Sequence, residues 1–214
     1  RIHFICAQTG EKILCPLSVD GQVWSVDWSP CGNKLSATCN NFDDDSYSVK
    51  IFSKEGSTGN FVCQSTLRVD NPVMSLSYAP SGDILAVGDY GGNIHFFNAQ
   101  GERTLSVTHS DPQDRYDGAT DVNHTTSYFD RDREWIRHQD HFSVIAVNAL
   151  CWSPDGTKLA SCGDDGTVKI WNAATGEKLW AVIVSTLVEY IKCNPRQPLA
   201  LSWSKCGRWL ALPS

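Results

Sequence analysis

The chain has 214 residues, a net charge of −6 and a pI near 5.4, which gives it length enough for one cooperative domain. The acidic balance argues against nucleic acid as a main partner, because a polyanion is held through clustered positive charge. No apolar run approaches the roughly 18–20 residues a helix needs to span a bilayer.

In chain order, the first residues "RIHFICAQTGEKIL" read as a strand, a Gly-containing turn and the start of a second strand. "VWSVDWSPCGNKLSATC" (Val23–Cys39) follows as strand, turn and strand. Val23, Ser25 and Asp27 alternate with Trp24, Val26 and Trp28, so this strand is expected to be buried on at least one face. In "SPCG", Pro presets φ and Gly tolerates positive φ. "SVKIF" (Ser48–Phe52) is a third strand. The set then repeats. "VMSLSYAPSGDILAVGDYGGNIHFF" spans Val73–Phe97 and "CWSPDGTKLASCGDDGTVKIW" spans Cys151–Trp171. "LALSWSKCGRWLALPS" (Leu199–Ser214) carries the first half of another copy. Trp28, Tyr78, Trp152 and Trp203 share one position, as do Gly32, Gly82, Gly156 and Gly207. "RIHFICAQTGEKIL" aligns with "TVKIWNAATGEKLW" without a gap, so Arg1 falls at the start of a third strand.

Each copy reads as a four-stranded antiparallel meander, here strands a, b, c and d. Such a sheet cannot bury both faces alone and must stack on copies of itself. A period of roughly 40–50 residues built from short strands points to propeller blades. The expected fold is therefore all-β, a partial β-propeller of three complete four-stranded blades and two half blades. The blade parts are 1–18, 19–68, 69–107, 143–184 and 185–214, with an insertion at 108–142. The chain is expected to be a fragment of a larger propeller, assembling with the missing blades; closure of the two halves into a four-bladed ring is the alternative.

The Ser-Pro-Asp-Gly turn at Ser153–Gly156, "LASCGDDGTVKIW" at Leu159–Trp171 and "ATGEKL" at Ala174–Leu179 resemble the WD40 family. The resemblance implies a β-propeller that serves as a protein-binding platform. It also implies a blade brace of hydrogen-bonded His, Ser or Thr, Asp and Trp. The third complete unit keeps Ser161, Asp165 and Trp171; its His position falls near Ser143, and His141 fills it only if the loop is longer. In the other units Gly91 and Ser46 stand where Asp165 does, and Phe97 and Phe52 where Trp171 does. Those departures question blade rigidity, not catalysis.

Two segments break the repeat: "NNFDDDSY" (Asn40–Tyr47) and the 108–142 insertion, rich in Asp and interleaved with aromatics. The a–b and c–d turns of a meander lie at one end, and the b–c turns and d–a crossovers at the other. Both irregular segments are therefore expected on one face, where loops on a rigid scaffold carry binding. Asp43, Asp44, Asp45, Tyr116, Tyr128 and Trp135 are the candidate contacts, and other proteins with a basic surface the candidate partners. A structureless loop of this length is usually functional or disordered.

No phosphate loop, nucleophile elbow or His-Glu-x-x-His pattern is present, so no enzyme activity and no cofactor are expected. Two alternatives remain. One is a metal-dependent module using His124, His138, His141 and Asp140 of the insertion. The other is a regulatory region of a larger multidomain enzyme. His3 and His95 share the position of Lys50 and Lys169, read as packing or surface. Nine cysteines without a Cys-x-x-Cys suit a reducing, intracellular setting, cytoplasmic with the nucleus open.

Overall fold

The computed structural model describes residues 1–12, 16–56, 60–109, 146–184 and 200–212, together with the backbone of 126–129 and 135–138. Three four-stranded antiparallel sheets follow one another along the chain. Blade 1 comprises β1 (Val26–Trp28), β2 (Lys34–Asn41), β3 (Ser46–Lys54) and β4 (Phe61–Val69). Blade 2 comprises β5 (Val73–Tyr78), β6 (Ile84–Asp89), β7 (Asn93–Asn98) and β8 (Arg103–Thr108). A separate hairpin pairs β9 (Thr126–Phe129) with β10 (Trp135–His138). Blade 3 comprises β11 (Val147–Trp152), β12 (Lys158–Gly163), β13 (Thr167–Asn172) and β14 (Lys178–Ile183). A closing hairpin joins β15 (Ser202–Trp203) to β16 (Leu210–Ala211). Ahead of blade 1, antiparallel bridges link Ile2 to Leu17 and Ile5 to Lys12. Sequence neighbours are sheet neighbours in each blade, as a meander requires.

The four a–b turns are one structure repeated. The amides of Gly32, Gly82, Gly156 and Gly207 donate to the carbonyls of Ser29, Ala79, Ser153 and Ser204 at 2.8–2.9 Å. Each of these glycines sits at a φ of +71 to +79°, a left-handed conformation that costs a residue with a Cβ.

The core lies between blades. Leu85 and Val87 of β6 face blade 1 and pack with Val49, Leu67 and Val69. Their neighbour Ala86, with Ile94 and Phe96 of β7, faces blade 3 and packs with Val147, Trp152, Leu159 and Trp171. The period of two thus serves both faces of the middle sheet. Burying a side chain of Ile or Phe size contributes roughly 1.5–3 kcal/mol, so stacking is what holds each sheet. Trp152 also donates its indole N–H to the Ser77 carbonyl of blade 2 at 3.0 Å, and Tyr78 Oη meets Ser36 Oγ of blade 1 at 2.6 Å. Asn40 joins blade 1 to blade 2 twice, accepting from the Val73 amide and donating to the Val73 carbonyl, both at 2.8 Å.

In β1 and its approach one face is the covered one: Val23, Ser25 and Asp27 are half-buried, whereas Trp24, Val26 and Trp28 are each more than two-fifths exposed. One sequence expectation is revised. The 108–142 segment is not structureless throughout: Thr108 is the last residue of β8, and the β9–β10 hairpin stands within it.

Candidate functional site

Two places carry the chemistry: a polar chain buried between blades 2 and 3, and the end of the disc where the b–c turns and d–a crossovers meet.

The buried chain begins at Trp171, whose indole N–H donates to Ser161 Oγ at 2.7 Å. Ser161 Oγ lies 2.8 Å from His109 Nδ1, and His109 Nε2 lies 3.2 Å from Asp165 Oδ1. An indole N–H only donates and a carboxylate only accepts, so with a neutral ring the Ser161 hydroxyl donates to Nδ1 and Nε2–H donates to Asp165. Asp165 also accepts from the Thr167 amide at 2.9 Å and the Thr167 hydroxyl at 2.8 Å. Lys169 is fully buried. Its ammonium lies 3.4 Å from Asp165 Oδ2 and donates to the His109 carbonyl. Burial works against the Asp165 carboxylate, but His109, Thr167 and Lys169 outweigh it and hold its pKa at about 2. Ser161 and His109 are fully buried and Asp165 is largely so, and the set ties strands b and c of blade 3 to the end of blade 2.

The histidine is not the one expected. Neither Ser143 nor His141 lies among the described residues; the ring bonded to Ser161 is that of His109, the residue after β8. It crosses from blade 2 to blade 3 at the very start of the 108–142 insertion, far in sequence from the position that blade 3 itself points to. Gly163 makes room for it: a Cβ there would stand 2.9 Å from both the His109 ring and the Ala146 carbonyl oxygen.

Blade 2 replaces the expected Asp with another one. Gly91 occupies the Asp165 position, and Asp89, at the end of β6, takes over two residues earlier. Asp89 is fully buried and accepts from the Asn93 amide at 2.7 Å and from Asn71 Nδ2 at 3.1 Å. Its Oδ2 lies 3.2 Å from His95 Nε2, whose Nδ1 meets Ser106 Oγ at 2.8 Å. Burial pushes the Asp89 carboxyl up, but these partners outweigh it and its pKa is lowered. The Ser–Nδ1 and Nε2–Asp polarity matches blade 3. The ring now comes from strand c, where Lys169 stands in blade 3. That shared c-strand position is therefore a buried partner of the brace carboxylate in both blades. In blade 1 its occupant Lys50 reaches Asp20 instead, at 3.2 Å.

At the end of the disc, the crossover from blade 2 to blade 3 is gripped at both sides. The His109 amide donates to the Gly92 carbonyl at 2.7 Å, and the Asp164 amide donates to the Ala146 carbonyl at 3.2 Å. Gly92 and Asp164 belong to the b–c turns of blades 2 and 3, so the insertion leaves and re-enters beside those turns. The b–c turn of blade 1 holds Asp43, Asp44 and Asp45, all exposed. Asp44 Oδ1 accepts from the Ser46 amide at 3.1 Å and the Ser46 hydroxyl at 2.5 Å, and Asp45 Oδ1 accepts from Tyr47 Oη–H at 3.2 Å. Two of the three carboxylates thus also shape the turn.

Tyr116 lies outside the described residues. Tyr128 and Trp135 lie in the β9–β10 hairpin, where Tyr128 pairs with Ile136 and Trp135 with Phe129. The aromatics that meet the acidic turn are different ones. Trp24 and Phe42 have ring centroids 5.7 Å apart, and Phe42 and Tyr47 also 5.7 Å. Nearby, a cavity of about 220 Å³ is lined by Trp24 and Ser25, Met74–Leu76, Asn148–Leu150 and Ala200–Leu201, the innermost strands of successive blades. Among the described residues, no three His, Cys, Asp or Glu side chains come together as a metal site. His124, Asp140 and His141 lie outside those residues, and His138 is described in backbone only.

Stacked four-stranded meanders around an axial cavity define a β-propeller class of protein. The chain belongs to the WD40 family: the family's WD domain, G-beta repeat, matches residues 14–53, 61–98 and 133–172, more than half of the length. It is 51% identical over 71 residues to the ribosome biogenesis protein ERB1 of Coccidioides immitis, covering 31% of this chain and 8% of that protein. It is 25% identical over 133 residues to polyadenylation factor subunit 2 of Candida albicans, covering 55% and 23%. It is 28% identical over 131 residues to the serine-threonine kinase receptor-associated protein of Gallus gallus, covering 55% and 37%. The chain therefore spans well under half the length of each. No helix among the described residues is long and apolar enough to cross a membrane.

Proposed function

We propose that this chain is a non-catalytic scaffold for protein–protein interaction whose binding face is the end carrying the 40–47 turn and the 108–142 insertion. The observation that carries this reading is the grip on the insertion. Its two ends are tied to the b–c turns of blades 2 and 3, and the b–c turn of blade 1 presents Asp43, Asp44 and Asp45. The partner is a protein with a basic surface. Acidic charge at this end steers a cationic partner inward and speeds association. Tyr116, Tyr128 and Trp135 supply short-range contact from the insertion, since aromatics dominate interface hot spots.

The relatives fit this reading by name. One is a factor subunit and another a receptor-associated protein, and both names describe membership of assemblies. An intracellular place, cytoplasmic or nuclear, goes with it: every cysteine among the described residues is a free thiol. The Ser161–His109–Asp165 set belongs to the scaffold in this reading, since its serine and histidine are fully buried and its bonds join two blades.

The test is capture of partners from a matched cell extract. The chain is compared with a variant whose residues 110–142 are replaced by a short Gly-Ser loop, with His109 kept. Loss of partners on the swap, and slower association after charge reversal at Asp43–Asp45, are the expected results. Capture of the same partners with equal affinity and unchanged rates overturns the reading.

A further inference from the structure

We infer that the Trp24–Phe42–Tyr47 ring cluster, edged by Asp43, Asp44 and Asp45, seats a lysine or arginine side chain from an extended basic segment of the partner. This rests on the binding face proposed above and gives it a pocket. The rings stand in a row. Trp24 and Phe42 are tilted by 36°, and Phe42 and Tyr47 by 62°, each pair 5.7 Å between centroids.

The exposure of Trp24, 44%, follows from its place at the head of strand a. Met74 and Asn148 hold the same place in blades 2 and 3, are half-buried, and line the axial cavity with it. Val26 and Trp28 differ, because their counterparts Leu76, Leu150 and Trp152 are buried. Phe42 opens the acidic turn and Tyr47 closes it, so rings and carboxylates are alternate parts of one six-residue stretch.

That combination selects a cation. A ring face carries negative potential that attracts a Lys or Arg head placed over it, and carboxylates beside the rings add their own attraction for the same charge. The nearer of the two lysines on β3, Lys50, lies three residues from Tyr47 and so on the other face of the strand, where Asp20 engages it at 3.2 Å. The Tyr47 phenol is already shielded and sits in an acidic field: burial first, then Asp45 and Asp44, raise its pKa. An anionic partner is repelled here, and an apolar one leaves Asp43 desolvated without a partner charge. An extended segment is specified because the rings continue, at Trp24, into an open cavity of about 220 Å³ lined by the corresponding strand starts of successive blades, so a chain seated on the rings runs on along it.

The probe is a labelled peptide, Gly-Ser-Arg-Lys-Arg-Ser-Gly, beside versions with all-arginine, all-lysine or all-glutamine centres. Each is titrated by fluorescence anisotropy and by backbone chemical-shift mapping at low and high salt. Cationic peptides are expected to bind and the glutamine peptide not to; the two homogeneous peptides decide between lysine and arginine. Trp24→Leu and Phe42→Leu should each weaken binding by roughly 2- to 30-fold, while Trp24→Tyr keeps most of it. Asp43→Asn should lower the low-salt affinity only. Should Phe42→Leu reduce the thermal midpoint, the Trp24→Leu and Trp24→Tyr pair decides. Equal binding by Trp24→Leu, equal binding of the glutamine peptide, or no binding of any cationic peptide overturns the inference. The 110–142 loop swap separates this outcome from the broader one. If the swap abolishes partner capture while Trp24→Leu leaves peptide and partner binding intact, the face stands and the ring seat falls. If Trp24→Leu abolishes capture and the swap does not, the ring seat stands without the insertion.

Discussion

Removing Asp165 is the sharpest test of how blades 2 and 3 are joined. A carboxylate held at a pKa of about 2 against an ordinary value of 3.8 is favoured in the folded state by on the order of 2 kcal/mol. Asp165→Ala costs more than that, because it also takes a carboxylate oxygen from 3.4 Å beside the fully buried Lys169 ammonium. Breaking a buried pair by deleting one partner costs about 3–5 kcal/mol. For a chain of this size the midpoint should fall by roughly 6–20 °C. Thermal melts by circular dichroism at neutral pH measure the loss. The pH dependence has a fixed sign. The folded pKa is depressed, so this stabilisation is complete above the unfolded pKa and fades as pH falls through 3.8 toward 2. The gap between parent and variant should therefore narrow over that window. The double variant Asp165→Ala with Lys169→Met removes both charges and should recover much of the midpoint. An unchanged midpoint for the single variant, or a double variant no better than the single, refutes the reasoning.

Other expectations follow from the same geometry. Asp89→Ala should destabilise blade 2 by about 1–3 kcal/mol through the loss of its His95, Asn71 and Asn93 bonds, seen as a lower denaturant midpoint. Asn40→Ala removes both bonds to Val73 and should cost about 1–3 kcal/mol, whereas a surface substitution such as Asp83→Asn should stay near zero, by the same measurement. Gly163→Ala should lower the midpoint as well, since its Cβ would press on the His109 ring and the Ala146 carbonyl. In native alkylation followed by peptide mass spectrometry, Cys31 and Cys206 should react first. Hydrogen bonds from Ser29 and Ser204 lower those exposed thiols, while burial pushes Cys162 up to about 12.

What the sequence discloses is what local chemistry writes into it. The aligned glycines of the a–b turns announce a left-handed residue, and the alternation of Leu85, Ala86 and Val87 announces a sheet buried on both faces. The brace of blade 3 is legible only in the part that lies within one repeat: Ser161, Asp165 and Trp171. Its fourth member, His109, arrives from the preceding blade across the whole insertion, and even the third family match, 133–172, begins after it. Asp89 is hidden for another reason. A carboxylate can reach the same ring nitrogen from a different strand position, so alignment by position overlooks it. The Trp24–Phe42 contact joins the start of one strand to the turn beyond the next, and no periodicity encodes that pairing.

The grip on the insertion has a further meaning for how this protein can change. His109 is tied to Asp165, and Ala146 to Asp164, so both ends of the inserted segment are pinned to adjacent residues of one turn. Lengthening a loop between fixed ends adds entropy cost only logarithmically, about 0.6 kcal/mol for each doubling. The propeller is therefore nearly blind to what is spliced between residues 110 and 145. New recognition sequences can be grafted there, lengthened or exchanged while the blades keep their stability, provided the histidine at the neck is left in place.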